Sequence, residues 1–107
     1  MVEYDYWTGH LREIIPTMNR SIASYTALYS RIKIGITNNP EIRFKAHLRD
    51  GRWDKMVVKY STNSVNYINE LERVLIDNHW DYITNQVRGG GGPNGQPPYY
   101  LYVLILK

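Results

Sequence analysis

The sequence predicts a small α+β domain in which an antiparallel sheet of about three strands is flanked by helices. Three observations indicate this class: the chain has 107 residues, two long stretches carry apolar residues at helical spacing, and three short segments have strand preference. A chain of this length has room for one domain with a modest core. We therefore expect residues 1–107 to form a single domain, with 1–30 as an N-terminal helical extension, 88–98 as a Gly- and Pro-rich loop and 99–106 as a C-terminal strand.

Three segments are predicted as strands. Residues 31–37 alternate, with isoleucines facing one way and polar or small residues facing the other, which is typical of a half-buried strand. A short apolar run at 56–60 predicts a second strand. The dense aromatic and aliphatic run at 99–106 predicts a third.

Three segments are predicted as helices. Apolar residues recur every three or four positions from residue 10 to about 30, and we expect this helix to be interrupted or restarted near Pro16. The second helix starts at Asn39 and Pro40, a capping residue followed by proline, and ends near Gly51. The longest helix covers roughly 64–81, with capping residues just before it.

The composition excludes several classes of protein. There are no cysteines, so disulfides, thiolate zinc sites and cysteine nucleophiles are all excluded. No segment reaches the roughly 18–20 apolar residues that span a bilayer, and the first residues are too polar for a signal peptide. We expect a soluble intracellular protein of the cytoplasm, nucleoid or nucleus, without a membrane partner.

Positive charge is concentrated in the middle of the chain. Between Arg31 and Lys59 there are eight basic residues and three acidic ones, whereas the whole chain has a net charge of only +3. A concentrated basic region favours binding to nucleic-acid phosphates. The alternative is a solvated charged surface without a partner.

One carboxylate of the longest predicted helix falls inside its apolar arc. On a helical wheel Glu72 lies between Ile68 and Val65, whereas Glu70 lies in the middle of the polar arc. A carboxylate aimed at a core costs several kcal/mol unless it is paired or bound to a metal. Glu72 is therefore a candidate metal ligand. The alternatives are a buried ion pair with an arginine, or a helix end that tilts into solvent.

Arg43 and His47 lie four residues apart on the 40–50 helix and share one of its faces. Arginine presents a rigid fork of donors to phosphate oxygens, and histidine transfers protons near neutral pH. Such a pair is common in helices, so its spacing alone does not predict a site.

Two longer stretches resemble the GIY-YIG nuclease family. Residues 33–47 read KIGITNNPEIRFKAH, which resembles the second half of the family signature: a YIG strand, an Asn-rich turn, then Arg and His on a helix. Glu72 lies in the sequence LERVLI, and Asn85 follows thirteen residues later, similar to the later helix and closing asparagine of the family. The glycines beyond Asn85 are also familiar from many members. These elements cover residues 31–92.

The resemblance implies a DNA endonuclease that hydrolyses phosphodiester bonds with one divalent ion, Mg²⁺ or Mn²⁺. It implies that Glu72 holds the metal, that Arg43 stabilises the transition state, and that His47 transfers a proton or orients water. Lys33 stands where the family usually has its second tyrosine, and would bind phosphate or take a proton. Asn85 would fix the active-site loop or contact the DNA.

The first half of the signature, the GIY strand, is missing from its usual place. The segment ahead of residue 31 has helical spacing and no turn-forming residue, whereas 98–104 is similar to a GIY strand. We therefore expect a permuted arrangement in which the C-terminal strand fills the missing place and Tyr102, or Tyr100 on the same face, is the catalytic tyrosine. The alternatives are Tyr25 or Tyr29 from a short preceding strand, or no catalytic tyrosine.

The sequence leaves several functional questions open. Further DNA contacts are predicted for Arg31, Lys45 and Tyr100. The main competing function is a catalytically inactive DNA-binding module with the same fold, and a ribonuclease or a tyrosine-rich interaction domain is a third. The sequence does not choose between a monomer that acts on a particular DNA structure and a homodimer that cuts both strands.

Overall fold

A computed structural model describes residues 1–86 and 95–107 of the chain. In chain order its elements are β1 (Val2–Trp7), α1 (Leu11–Leu28), β2 (Arg31–Thr37), α2 (Pro40–Asp50), β3 (Lys55–Thr62), α3 (Val65–His79), a 3₁₀ turn (Trp80–Tyr82) and β4 (Tyr99–Leu106). The predicted α+β class is confirmed. None of the helices in these ranges is long and apolar enough to cross a membrane.

The four strands form one mixed sheet in the order β1-β3-β4-β2. Strand β4 lies between β2 and β3 and is antiparallel to both, whereas β1 is parallel to β3 at the edge. The sheet differs from the predicted antiparallel one of about three strands by a fourth strand, β1, which runs parallel to its neighbour. The β1 sequence VEYDYW alternates valine and tyrosines with acidic residues, which is a strand-like pattern, although five of its six residues are exposed.

The C-terminal strand lies directly beside β2, as predicted. Gly35 pairs with Tyr102 and Lys33 pairs with Leu104 across the antiparallel ladder. Residues 21–28, where the alternative layout needs a short strand, are part of the α1 helix. That alternative is wrong because the apolar spacing of this segment produces a helix that packs on the sheet.

Helices cover both faces of the sheet. The isoleucines of β2 and the odd-numbered residues of β4 pack against α1 and α3 in the main core. The opposite face packs under α2, where Phe44 meets Met56, Tyr102 and Leu104 in a smaller cluster. Because side chains alternate along a strand, the polar residues of β2 share this second face with Tyr102.

Helix α1 continues through Pro16 without a break, which corrects the predicted interruption. A proline inside a helix removes a hydrogen bond and costs about 3 kcal/mol. Here the helix also buries Leu11, Ile14, Met18 and Ile22 in the core. Burial of such side chains contributes about 1.5–3 kcal/mol each, which exceeds the cost of the proline.

The other helix starts follow the predicted caps. The side chain of Asn39 accepts a hydrogen bond from the backbone N–H of Ile42 at 3.2 Å, and Pro40 follows it at the start of α2. Ser64 caps α3 in the same way through the N–H of Tyr67. Helix α3 ends at His79, slightly before the predicted boundary.

Candidate functional site

The candidate site lies on the sheet face covered by α2, where Tyr102 rests on β2. The Tyr102 side chain is only 4% exposed, and its hydroxyl end occupies the space above Gly35. A Cβ atom at position 35 would collide with the hydroxyl and the adjoining ring carbons. The glycine therefore leaves room for the hydroxyl end of the tyrosine side chain beside the neighbouring strand.

Tyr102 is hydrogen bonded to His47 of α2. The distance between His47 Nε2 and the Tyr102 hydroxyl is 2.8 Å, and the two rings meet edge to face. Burial, reinforced by the positive charges of Lys33 and Arg43, lowers the pKa of His47 to about 4. Both cations therefore lie within electrostatic range of the imidazole, which is neutral at pH 7.

Tyr102 is also neutral at pH 7. Burial raises its pKa to about 12, with Arg43 acting in the opposite direction and Glu72 in the same direction. The pair with His47 thus joins two uncharged groups, and the imidazole tautomer determines which of them donates.

Arg43 and Lys33 flank this pair from two different elements. Arg43 is exposed on α2, one turn before His47, and Lys33 is half-buried on β2, one step along the same face from Gly35. Neither forms an ion pair in the part of the chain that the structure describes. Both can therefore bind a phosphate group without first losing a carboxylate partner.

Glu72 is buried in α3, as the helical wheel predicts. It is 9% exposed, whereas Glu70 lies on the outer side of the helix and pairs with Arg73. Burial raises the pKa of Glu72 to about 7. Among residues 1–86 and 95–107, no basic side chain pairs with its carboxylate, so the predicted alternative of a buried ion pair with an arginine is not seen within this part of the chain.

Glu72 does not share the sheet face of His47. Helix α3 packs on the face of the β2 isoleucines, while α2 covers the other one. The negative charge of Glu72 nevertheless contributes to the raised pKa of Tyr102. The two groups are therefore coupled electrostatically.

Glu72 fits a metal that takes only one ligand from the protein. Mg²⁺ is commonly bound by one or two carboxylates together with water and substrate phosphates. A buried carboxylate without a cationic partner lacks the positive charge that such an ion supplies. In residues 1–86 and 95–107 no group of three or more His, Asp or Glu side chains forms a more complete cage.

Asn85 ties the segment after α3 to the free edge of β2. Its side-chain amide donates to the carbonyl of Ile34 at 2.8 Å and accepts from the N–H of Ile34 at 2.9 Å. Thr84 adds two bonds to the carbonyl of Ile32. Of the two roles predicted for Asn85, this geometry corresponds to fixing the loop, since both ends of the amide already have protein partners.

The three other residues that were predicted to contact DNA differ in how they are placed relative to His47 and Tyr102. Arg31 lies near it, with its guanidinium 5.3 Å from the ring centre of Trp53. Tyr100 is half-buried on the same face as Tyr102 and meets Tyr6 edge to face at 6.2 Å. Lys45 is exposed on α2, and it lines neither of the two clefts beside the site.

Tyr25 and Tyr29 lie far from this arrangement in the fold. Their rings are 6.0 Å apart and pack against the main core, on the α1 and α3 side of the sheet. The sheet separates them from His47 and Arg43. The structure therefore does not bring either tyrosine to the predicted site.

Two clefts open beside the site. One, of about 320 Å³, is lined by Arg31, Lys33 and His47 together with the loop between α2 and β3. The other, of about 400 Å³, lies at the N-terminal end of α2 and includes Thr37 and Arg43. The first cleft is the more basic of the two.

Sequence reasoning missed the residues that complete the first cleft, among them Arg52, Trp53 and Thr84. Arg52 and Trp53 follow Gly51 in a loop without periodicity, so only the fold brings them opposite β2. Arg52 belongs to the basic region between Arg31 and Lys59, but no motif in the sequence singled it out or pointed to Trp53 and Thr84. The glycines at 89–92 lie outside the described residues.

Comparison with known proteins gives no further identification. No family model, no curated protein and no solved structure matches this chain.

Proposed function

We propose that the protein is a divalent-metal-dependent DNA endonuclease that hydrolyses phosphodiester bonds by a single-metal mechanism of the GIY-YIG type. The observation that carries the proposal is the contact between Tyr102 and His47 above Gly35. It joins the C-terminal strand, which is similar to a GIY strand, to the stretch that resembles the second half of the signature. His47 and Tyr102 are 55 positions apart in the sequence, and the pairing of β2 with β4 makes the two parts neighbours.

The charges around the pair suit a phosphodiester substrate. Arg43 and Lys33 both act on His47 electrostatically and have no carboxylate partner among the described residues. In the proposed mechanism they hold the scissile phosphate. The guanidinium of Arg43 then stabilises the additional negative charge of the transition state.

His47 and Tyr102 would pass a proton away from the attacking water. The water donates its proton to the Tyr102 oxygen while the hydroxyl proton of Tyr102 moves to His47 Nε2, which lies 2.8 Å away. The positive charges of Lys33 and Arg43 keep the pKa of His47 low in the free protein. A bound phosphate would offset those charges, so His47 becomes a stronger base when substrate is present.

Glu72 would hold the metal ion through its carboxylate. A bound Mg²⁺ or Mn²⁺ neutralises phosphate charge and lowers the pKa of coordinated water. Because burial raises the pKa of Glu72 to about 7, the free carboxyl is partly protonated at neutral pH, and metal binding would release that proton. Metal affinity is therefore expected to rise with pH through this range.

A DNA-binding module without catalysis is the second candidate. It is favoured by Lys33, which stands in place of the usual tyrosine, and by the position of Glu72 on the far side of the sheet from His47. In that case the basic surface would bind DNA, and the tyrosine–histidine pair would only stabilise the fold.

The proposed function is tested by incubating supercoiled plasmid, and separately RNA, with the protein and Mg²⁺ or Mn²⁺. The matched variants are Glu72→Ala and Glu70→Ala, since these carboxylates lie two residues apart in one helix but on its buried and exposed sides. The wild type and Glu70→Ala are expected to nick DNA only with metal, and Glu72→Ala at least about 100-fold more slowly. Circular dichroism checks that both variants fold.

Each alternative has its own outcome. Metal-dependent nicking that survives in Glu72→Ala would remove the metal assignment. Salt-sensitive DNA binding by the wild type without any cleavage would favour the binding module. Cleavage of RNA in preference to DNA would indicate a ribonuclease.

A further inference from the structure

The 320 Å³ cleft beside the candidate site has a basic lining. Arg31 and Lys33 contribute from β2, and Arg52 contributes from the loop between α2 and β3. Asp50 is the one carboxylate among the described residues that line it. His47 also lines the cleft, which therefore opens directly onto the tyrosine–histidine pair.

The three basic residues of this cleft are not neutralised. None of them forms an ion pair in the described ranges 1–86 and 95–107. Three other basic residues do have acidic partners, and the pairs are Lys55 with Glu3, Lys59 with Asp5, and Arg73 with Glu70 and Asp77. The cleft therefore presents three positive charges, without an ion-pair partner among the described residues, beside His47.

One of the cleft arginines is held in position before any ligand binds. The guanidinium of Arg31 lies 5.3 Å from the ring centre of Trp53, which is half-buried and packs against the cluster around Phe44. A cation–π contact of this kind contributes about 0.5–1 kcal/mol at an exposed site. It restricts the arginine side chain, so less conformational freedom is lost when an anion binds.

We infer that this cleft binds a second phosphodiester group of the DNA strand, adjacent to the one that is cleaved, through Arg31 and Arg52. Lys33 lies between the two phosphodiester groups and contacts the one that is cleaved. The inference rests on the proposed function, and it assigns a substrate-positioning role to Arg52 and Trp53. Contacts of this kind fix the register of the strand without reading its sequence.

The test measures how salt affects DNA binding without cleavage. A fluorescent duplex is titrated with wild type, Arg31→Gln, Arg52→Gln and Arg12→Gln in EDTA at several salt concentrations. Arg12 is exposed on α1, on the other side of the sheet, and serves as a charge-matched control. Each lost phosphate contact is expected to reduce the slope of log K against log[salt] by about 0.9. Arg31→Gln and Arg52→Gln should show this reduction, and Arg12→Gln should keep the wild-type slope.

The outcomes separate this inference from the proposed function. Equal slopes for all four proteins would overturn the cleft assignment, while plasmid nicking by the same proteins would leave the nuclease proposal intact. A reduced slope of log K against log[salt] without plasmid nicking would support the cleft assignment in a DNA-binding module that does not cleave DNA. If the wild type shows no salt-dependent binding, the cleft assignment fails, and the plasmid assay alone decides the proposed activity.

A second titration distinguishes a DNA backbone from a free nucleotide. Deoxythymidine 5′-monophosphate carries a similar phosphate group but no neighbouring nucleotide. We expect it to compete with the duplex only at concentrations at least 100-fold higher. Competition at the same concentration would show that the cleft is a mononucleotide site and would overturn the assignment.

Discussion

At position 35 of β2, the absence of a side chain leaves the space that the Tyr102 hydroxyl fills. The glycine is therefore needed for a packing reason, since its backbone does not adopt the left-handed region. The same ring reaches His47 on α2. A single small residue thus controls whether the candidate site can assemble.

We expect Gly35→Ala to destabilise the protein and disrupt the site. The added methyl group has to displace a ring that is 4% exposed, and overpacking of this kind costs about 1–3 kcal/mol. Urea unfolding measures the loss, and the imidazole resonances of His47 report whether its contact with Tyr102 has changed.

Gly51→Ala is the matched control for stability. The nearest atom to a Cβ at that position, in Trp53, lies at 3.5 Å, which is ordinary contact. Its free energy of unfolding should change by less than about 0.5 kcal/mol. Equal losses for both variants would contradict a specific collision at Gly35.

The raised pKa of Glu72 predicts that the free energy of unfolding depends on pH. Its pKa rises from an ordinary value of 4.5 to about 7 on folding, so the folded protein holds this proton more tightly than the unfolded chain. The stability from this group is fully present below about pH 4.5 and is lost as the pH rises through about 7. The loss amounts to roughly 3 kcal/mol at most.

The measurement is the free energy of unfolding between pH 4 and pH 9, in EDTA, for wild type, Glu72→Gln and Glu70→Gln. Glutamine cannot ionise, so Glu72→Gln should become more stable relative to wild type as the pH rises. Glu70→Gln should follow the wild-type curve. A constant difference between Glu72→Gln and wild type at every pH would contradict the raised pKa.

At the scale of the elements, β2 is a strand with one free edge. Strand β4 covers one side, and the amide of Asn85 bonds to Ile34 on the other. These two hydrogen bonds resemble those that another strand would make at this position. They anchor the segment after α3 close to the face that carries Lys33.

Asn85→Ala should therefore cost about 1–3 kcal/mol of stability because it leaves the backbone groups of Ile34 without these partners. Thermal and urea unfolding measure the effect. Asn63→Ala is the control, since Asn63 is exposed and makes no side-chain hydrogen bond within the described ranges. An equally small change in both variants would show that the bonds to Ile34 do not stabilise β2.

Elements with a strong local pattern were predictable from the sequence. The bounds of β2, α2 and β4 follow alternation, capping, and aromatic and aliphatic content, respectively, and the buried position of Glu72 follows the helical wheel. Strand β1 was missed although Val2, Tyr4 and Tyr6 alternate with Glu3 and Asp5, since a six-residue segment with five exposed residues has no buried face to confirm the pattern. Continuation of α1 through Pro16 depends on tertiary packing, which local propensity does not contain.

For the candidate site, the sequence could supply the residue types but only part of their arrangement. Arg43 and His47 share a helix face by spacing alone, and the similarity of the C-terminal strand to a GIY strand predicted its place beside β2. The hydrogen bond between His47 and Tyr102, and the contribution of Arg52 and Trp53 to the basic cleft, depend on how α2 packs on the sheet.

For the whole molecule, β4 is the strand on which the fold depends. It pairs with both β2 and β3, and six of its eight residues are buried. It follows the other three strands in the sequence, so the sheet is complete only when this last strand lies between β2 and β3. Most contacts of this strand are therefore long-range.

Hydrogen exchange should show this organisation. The amides of β4 are expected to exchange at rates set by global unfolding, and those of the edge strand β1 should exchange faster through local opening. Native-state exchange followed by NMR measures both. If the amides of β4 are no better protected from exchange than those of β1, the central position of β4 between two paired strands would be contradicted.

The most direct test of the central claim compares the plasmid-nicking activity of wild type, Tyr102→Phe and Tyr29→Phe with Mg²⁺ or Mn²⁺. Tyr102→Phe keeps the buried ring but removes the hydroxyl that contacts His47, and Tyr29 lies on the opposite side of the sheet. The account predicts metal-dependent nicking by wild type and Tyr29→Phe, and a reduction of about 100-fold or more in Tyr102→Phe. Full activity in Tyr102→Phe, or loss of activity in Tyr29→Phe alone, would contradict it.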